Sequence, residues 1–152
     1  MKRIGLSLAA VAACAIIFVN QKAHAENGAT ATYVESQRVL DNFEKKGGNP
    51  LIPGEQYQVQ TNRRTANGNI EIHEKETDIF YVTEGSATII VGGTAIEPKA
   101  TRAGQMTAKE IENGKSYNLK KGDMLVIPAG QPHWFKQVNG FINYITVKSI
   151  TP

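Results

Sequence analysis

The sequence predicts an all-β fold, a sandwich or a barrel, behind a short N-terminal helix. From Leu51 onward it breaks into short β-type runs: "EQYQVQTNR", "GNIEIHE", "DIFYVTEG", "SATIIVGG", "KSYNLKKG", "DMLVIPAG", "PHWFKQV" and "FINYITVKS". Turn residues punctuate them, among them Asn67-Gly68, Gly92-Gly93, Asn113-Gly114 and Asn139-Gly140, and many short strands with close turns indicate a closed or layered β domain. The 152 residues suit a single core, which at this size buries roughly 70% of the unfolded surface.

Taken in order, residues 1–25 read as a signal peptide. Lys2 and Arg3 precede the 16-residue apolar run Ile4 to Val19, and small residues at Ala23 and Ala25 mark cleavage after Ala25. Two other readings stay open: an uncleaved anchor, and lipid attachment at Cys14 in "VAAC". Residues 26–50 form a polar lead and a short amphipathic helix. Val34, Val39, Leu40 and Phe43 fall at helical spacing, Lys45 and Lys46 lie in the last turn, and Gly47 and Gly48 follow as a stop. The β domain then occupies 51–152, with the stretch from Thr94 to Lys115 its least regular part, a long connection that is either functional or a covering loop.

Cleavage after Ala25 removes Lys2, Arg3 and Lys22, so the basic count drops from 17 to 14 and equals the 14 acids. A formally neutral chain lacks the footprint of a nucleic-acid binder, and the Arg63-Arg64 pair is too small to supply one. The sole cysteine leaves with the signal, which excludes disulfides and thiol nucleophiles in the exported domain. His24 leaves as well, and two histidines remain, His73 and His133. An exported chain is expected in the periplasm or outside the cell, free of the membrane.

Strand alternation puts Glu71 and His73 on one face and Ile70 and Ile72 on the other. Asp78 opens the next strand, and His133 follows the strand that "GDMLVIPAG" ends. Imidazoles and carboxylates brought from separate strands into a barrel can hold a first-row divalent metal with open positions for substrate. Phe80 alternates with Asp78 and either walls such a pocket or packs in the core, while Tyr81 faces the other way. Trp134 either caps the mouth or packs outside, and Gln137 either binds a ligand or ends a strand. Tyr117, Arg102 and Lys109 lie in or near the long connection as candidate contacts for an anionic substrate or as solvated loop residues.

At this point the sequence resembles the cupin superfamily. Gly122, Pro128, Gly130 and His133 match the family's second motif, whose final asparagine is Gln137 here. In the first motif, counting back from Gly85 puts Asp78 at the glutamate position, His73 at the second histidine and Glu71 at the first; the leading glycine is displaced, its place taken by Thr65. A frame with Lys75 as the second histidine leaves the acid too close and puts an ammonium where a ligand belongs. The resemblance covers roughly residues 55–148.

It implies a single-domain cupin-type β-barrel, a jelly roll, whose motifs form facing hairpins that converge on one metal. The implied ligands are His73, His133, Asp78 and Glu71, a hard set suited to iron, manganese or zinc. Asp78, one methylene shorter than Glu, is either a ligand or an outer partner that orients a histidine, and a barrel that has lost its metal is the remaining reading. The implied function is an exported metal-dependent enzyme, an isomerase, lyase or dioxygenase, acting on a small oxygen-rich molecule with Glu71 as general base if it does not bind the metal. The alternative is a non-catalytic module for a sugar-like ligand. The implied partner is a small molecule, with a homodimer left open because cupins often dimerise through outer strands; an interaction protein working through its sheet edges is a third reading.

Overall fold

Alternation along the strands determines what each sheet face buries in the computed structural model, which describes residues 31–45 and 47–151. Residues 1–25, read above as a signal peptide, lie outside the described residues, and no helix among those described is long and apolar enough to cross a membrane. The helix α1 runs Ser36–Phe43 and packs on the first two strands, β1 (Gly47–Ile52) and β2 (Tyr57–Arg64). Its seal differs from the expected apolar stripe. Leu40 is 59% exposed, while Phe43 and Asn42 are buried, and the Asn42 amide donates to Thr61 Oγ1 at 2.8 Å and to the Asn49 carbonyl at 3.0 Å. β1 itself, starting at Gly47, falls in the stretch read as lead and helix.

The remaining strands are β3 (Ile70–His73), β4 (Glu76–Val91), β5 (Thr94–Ile96), β6 (Lys99–Arg102), β7 (Gln105–Thr107), β8 (Glu110–Glu112), β9 (Lys115–Lys120), β10 (Met124–Ile127) and β11 (His133–Ile150). Two long antiparallel strands, β4 and β11, form the spine. β4 also pairs with β9 and β10, and β11 also pairs with β2 and β3. The sequence reading divided each of them in two, and the structure joins the halves. Gly85, at φ 76°, bends β4 without reversing it, and the register of β11 shifts opposite this bend between Val138 and Ile142. The long connection is also more regular than expected: it holds β5 to β8, and β7 pairs with β3.

Inside the spine lie Phe80, Val82, Ala87, Ile89, Leu119, Ile127, Phe135, Ile142 and Tyr144. Full burial of one such large apolar side chain stabilises by about 1.5–3 kcal/mol, so this cluster carries the barrel while the polar side chains near β2 and β3 do not. Two glycines of the spine and its motif turn are required for different reasons. A Cβ on Gly85 would stand 2.1 Å from the Phe141 carbonyl oxygen, whereas one on Gly130, φ 80°, meets nothing within 4 Å. Gly130→Ala is therefore expected to cost roughly the 1–2 kcal/mol of a left-handed residue, and Gly85→Ala distinctly more; urea unfolding of the two variants checks the order.

Candidate metal centre

The opening of β11 is held against the end of β3 by a single turn. Pro128 to Gln131 closes through the Gln131 N–H on the Pro128 carbonyl at 3.2 Å, with the positive φ of Gly130 at its third position as a type II turn requires. The Gly130 N–H donates to the His73 carbonyl at 2.7 Å, and the Gly92 N–H donates to the Pro132 carbonyl at 2.8 Å. His133 then pairs directly opposite Glu71 across β11 and β3. Proline and glycine thus stop one strand and dock the next on the strand that carries the other histidine.

Both imidazoles are buried, with ring centroids 5.1 Å apart. Each has its Nδ1 engaged. His133 Nδ1 lies 3.1 Å from the Gln131 carbonyl oxygen, which can only accept, so Nδ1 carries the proton. His73 Nδ1 meets Gln105 Oε1, and the Gln105 amide is oriented by Nε2 donating to Glu76 Oε1 at 2.9 Å, so His73 too is protonated at Nδ1. In the neutral rings both Nε2 lone pairs are therefore left free. His73 Nε2 is buried with no hydrogen-bond partner, an orphan of the kind a missing ligand explains.

Around that orphan the carboxylates converge. Glu71 Oε2 is 3.6 Å from it and Asp78 Oδ2 is 3.3 Å from it, while His133 Nε2 lies 3.8 Å from the same Asp78 oxygen. Bonds of about 2.0–2.2 Å from a tetrahedral ion place its ligand atoms ~3.3–3.6 Å apart, so the Glu71–His73 and Asp78–His73 separations suit a divalent metal and the His133–Asp78 one is slightly wider. Glu71, His73 and His133 offer ligand atoms all within 4.8 Å of one another, and His73, Glu76 and Asp78 form a second trio sharing His73.

Two cations complete the centre. Lys148, opposite Asp78 in the β11–β4 register, donates to Asp78 Oδ1 at 2.7 Å and to Glu76 Oε2 at 2.8 Å. Arg64 Nη2 donates to Glu71 Oε1 at 2.8 Å and its Nε to the Tyr144 hydroxyl at 2.9 Å. Burial disfavours charge on Asp78, yet His73 and Lys148 outweigh it and hold the carboxyl below its usual range. Burial likewise opposes the charges of His73 and Lys148. Asp78 raises His73 against that penalty and against Lys148, and Asp78 with Glu76 raises Lys148. His133 goes the other way, lowered chiefly by burial. Tyr144, fully enclosed, is pushed up to about 12 by burial despite Arg64.

The centre sits at the wall of a cavity of about 860 Å³ lined by Arg64, Glu71, His73, Gln105 and Lys148 among others. Phe80 lies with Phe135 and Tyr144 beneath the histidines, walling a smaller space of about 50 Å³ and packing in the core at once. Tyr81 faces outward as expected. Trp134 and Gln137 are not pocket residues. Trp134 alternates with His133, so its ring turns to the far face, where Nε1 donates to the Gly68 carbonyl at 2.8 Å, and Gln137 is exposed and donates to Asn139. Arg102 lines the cavity, Lys109 pairs with Glu97 at 3.1 Å, and Tyr117 packs on the core beneath Lys115.

Sequence reasoning missed Lys148, Arg64, Glu76 and Gln105. Alternation from Tyr144 through Thr146 to Lys148 could have found the first, and nothing in "RAGQMT" signals the last. Gln105→Leu is expected to keep the fold and lower metal affinity by about 10- to 100-fold, the usual cost of an outer partner of a liganding histidine; competition titration with a fluorescent chelator measures it.

A family model described as Cupin matches residues 57–148. A comparison with curated protein sequences gives no match. Among solved structures, a Bacillus halodurans protein superposes with a TM-score of 0.60 at 14% identity, covering 82% of this chain and 85% of its own. A hydroquinone 1,2-dioxygenase in complex with Cd2+ and 4-hydroxybenzonitrile superposes at 0.55 and 17% identity, covering 82% of both chains. A Neisseria meningitidis protein does so at 0.54 and 11%, covering 78% of this chain and 99% of its own. Identities this low show a shared fold alone. The family match spans β2 to β11 and includes both histidine-bearing strands, and on it the chain belongs to the cupin family.

Proposed function

We propose that the protein is an exported, metal-dependent cupin enzyme acting on a small oxygen-rich molecule, with Glu71, His73 and His133 as the metal ligands. The observation that carries this reading is the buried, partnerless His73 Nε2 facing His133 and two carboxylates at the wall of a polar cavity. Two histidines and one carboxylate leave coordination positions open, the arrangement of non-haem iron sites. When bound, the metal supplies Lewis acidity or a site for dioxygen. The chain's own residues do the rest. Arg64 fixes Glu71 through Oε1 and leaves Oε2 facing the centre, and Lys148 holds Asp78 in place behind the histidines. Isomerase, lyase and dioxygenase chemistry all suit such a site, because the fold does not choose among them. Export rests on the N-terminal pattern of residues 1–25, and N-terminal sequencing of the mature protein tests it.

One observation favours a second reading, a ligand-binding module without metal: Glu71 is already paired with Arg64, and Asp78 and Glu76 with Lys148, so the charges balance unaided. Elemental analysis of tag-free protein, before and after incubation with iron, manganese or zinc, separates the two. Stoichiometric metal supports the enzyme, and a protein that stays empty supports the module. Glu71→Gln refines the first outcome: metal lost identifies a ligand, whereas metal kept with activity lost identifies a base.

A further inference from the structure

β2 exposes an unusual interior face. Its outward alternation, Val59 and Thr61, turns toward the helix, where Thr61 is wholly buried against Asn42. The inward alternation is Gln58, Gln60, Asn62 and Arg64, all lining the large cavity that also contains Glu71 and His73. An inner barrel wall is ordinarily apolar, since each amide placed there must find partners or lose free energy. These amides find few. Gln60 Nε2 donates to Gln58 Oε1 at 3.3 Å and Asn62 Nδ2 donates to Thr146 Oγ1 at 2.9 Å. An amide has two donor hydrogens and two acceptor lone pairs, so most of the ladder's capacity faces the cavity.

The rest of the lining points the same way. It contains no Phe, Tyr or Trp, its one aromatic ring being the His73 imidazole, and its aliphatic residues are Ile70 and Met106. A flat aromatic ligand would find no large ring to stack on, whereas a chain of hydroxyls, each donating and accepting, matches a row of amides. Of the cavity's three cations, Arg64 and Lys148 are held by Glu71, Glu76 and Asp78. The Arg102 residue pairs with Gln105 through the backbone, but its side chain forms no ion pair or hydrogen bond among the described residues and stands ready for an acid.

We propose that the cavity takes a polyhydroxylated carboxylate of the sugar-acid class, its hydroxyls read by Gln58, Gln60 and Asn62 and its carboxylate by Arg102. This rests on the cavity being the substrate site of the cupin enzyme proposed above, but uses none of the metal ligands.

The experiment titrates the protein with gluconate, sorbitol and benzoate by calorimetry, with metal content measured before and after each titration. Gluconate is expected to bind best and benzoate worst. Gln60→Leu and Asn62→Leu are each expected to weaken gluconate at least tenfold at unchanged metal content, and Arg102→Gln to erase its advantage over sorbitol. Should Asn62→Leu fail to fold for want of the Thr146 bond, Gln58→Leu provides the same reading. Benzoate binding as well as gluconate, or gluconate indifferent to the ladder variants, overturns the proposal. Ladder-dependent binding to a protein that takes up no metal upholds it while refuting the metal-dependent reading.

Discussion

Lys148→Met is expected to destabilise the metal-free protein by about 3–5 kcal/mol, the cost of removing one partner from a buried ion pair. The Lys148 side chain is 13% exposed and that of Asp78 only 4%. The two stand opposite each other in the β4–β11 register, so the carboxylate cannot follow its lost partner to water without breaking the spine of the barrel. Glu76 loses the same ammonium, but at 22% exposure it keeps access to solvent. The double variant Lys148→Met/Asp78→Asn removes the buried charge that His73 alone would then face, and is expected to recover much of the loss, the signature of a coupled pair. A second consequence concerns the metal. Without the ammonium, the His73, Glu76 and Asp78 trio becomes a free cation site. Zinc at 100 times its dissociation constant would then restore about 2.7 kcal/mol. Urea unfolding with chelator and with zinc measures both effects. A single variant as stable as the wild type in chelator would show that Lys148 does not hold Asp78.

The same pair shows what the sequence made legible. Motif spacing put Asp78, His73 and His133 in one place because the turn residues that define the motif are backbone requirements: the Pro128–Gln131 turn and the Gly130 bond to His73 leave a trace in residue identity. Strand alternation correctly placed Phe80 inside and Tyr81 outside. It could turn Trp134 away from His133 but could not say what lies on that side, since that needs the neighbouring strands, which proved to be β3 with Ile70 and β4 with Ile90 opposite. Gln105 reaches His73 through a pairing of β7 with β3, 32 residues apart, and such contacts depend on topology that local pattern does not encode. The helix was found from its periodicity, yet its seal is the Asn42 amide, a hydrogen-bonding choice that hydrophobic spacing cannot report. The joined strands have the same cause: Gly85 reads as a turn in sequence, and only the continuous pairing with β11 makes it a bend.

His73→Ala and His133→Ala are each expected to abolish the stabilisation that divalent metal gives the wild type, about 2.7 kcal/mol at 100 times the dissociation constant. The two histidines differ in their protons, and this predicts how the wild type responds to pH. His73 is raised above the ordinary imidazole value of 6.5, because Asp78 outweighs burial and Lys148. Its proton therefore stabilises the metal-free fold fully below the ordinary value, and that contribution is lost as pH rises through the raised one. His133, lowered by burial, is already neutral there and has no proton to give up. Metal uptake must displace the His73 proton from Nε2, so apparent affinity is expected to fall about tenfold per pH unit below the raised value, with one proton released. The metal-induced shift in melting temperature should grow from acid toward neutral pH and then level off. Calorimetry in two buffers of different ionisation enthalpy counts the proton directly. A metal effect retained in either alanine variant, or uptake without proton release in the acid range, would mean that the orphaned nitrogen of His73 is not where the metal binds.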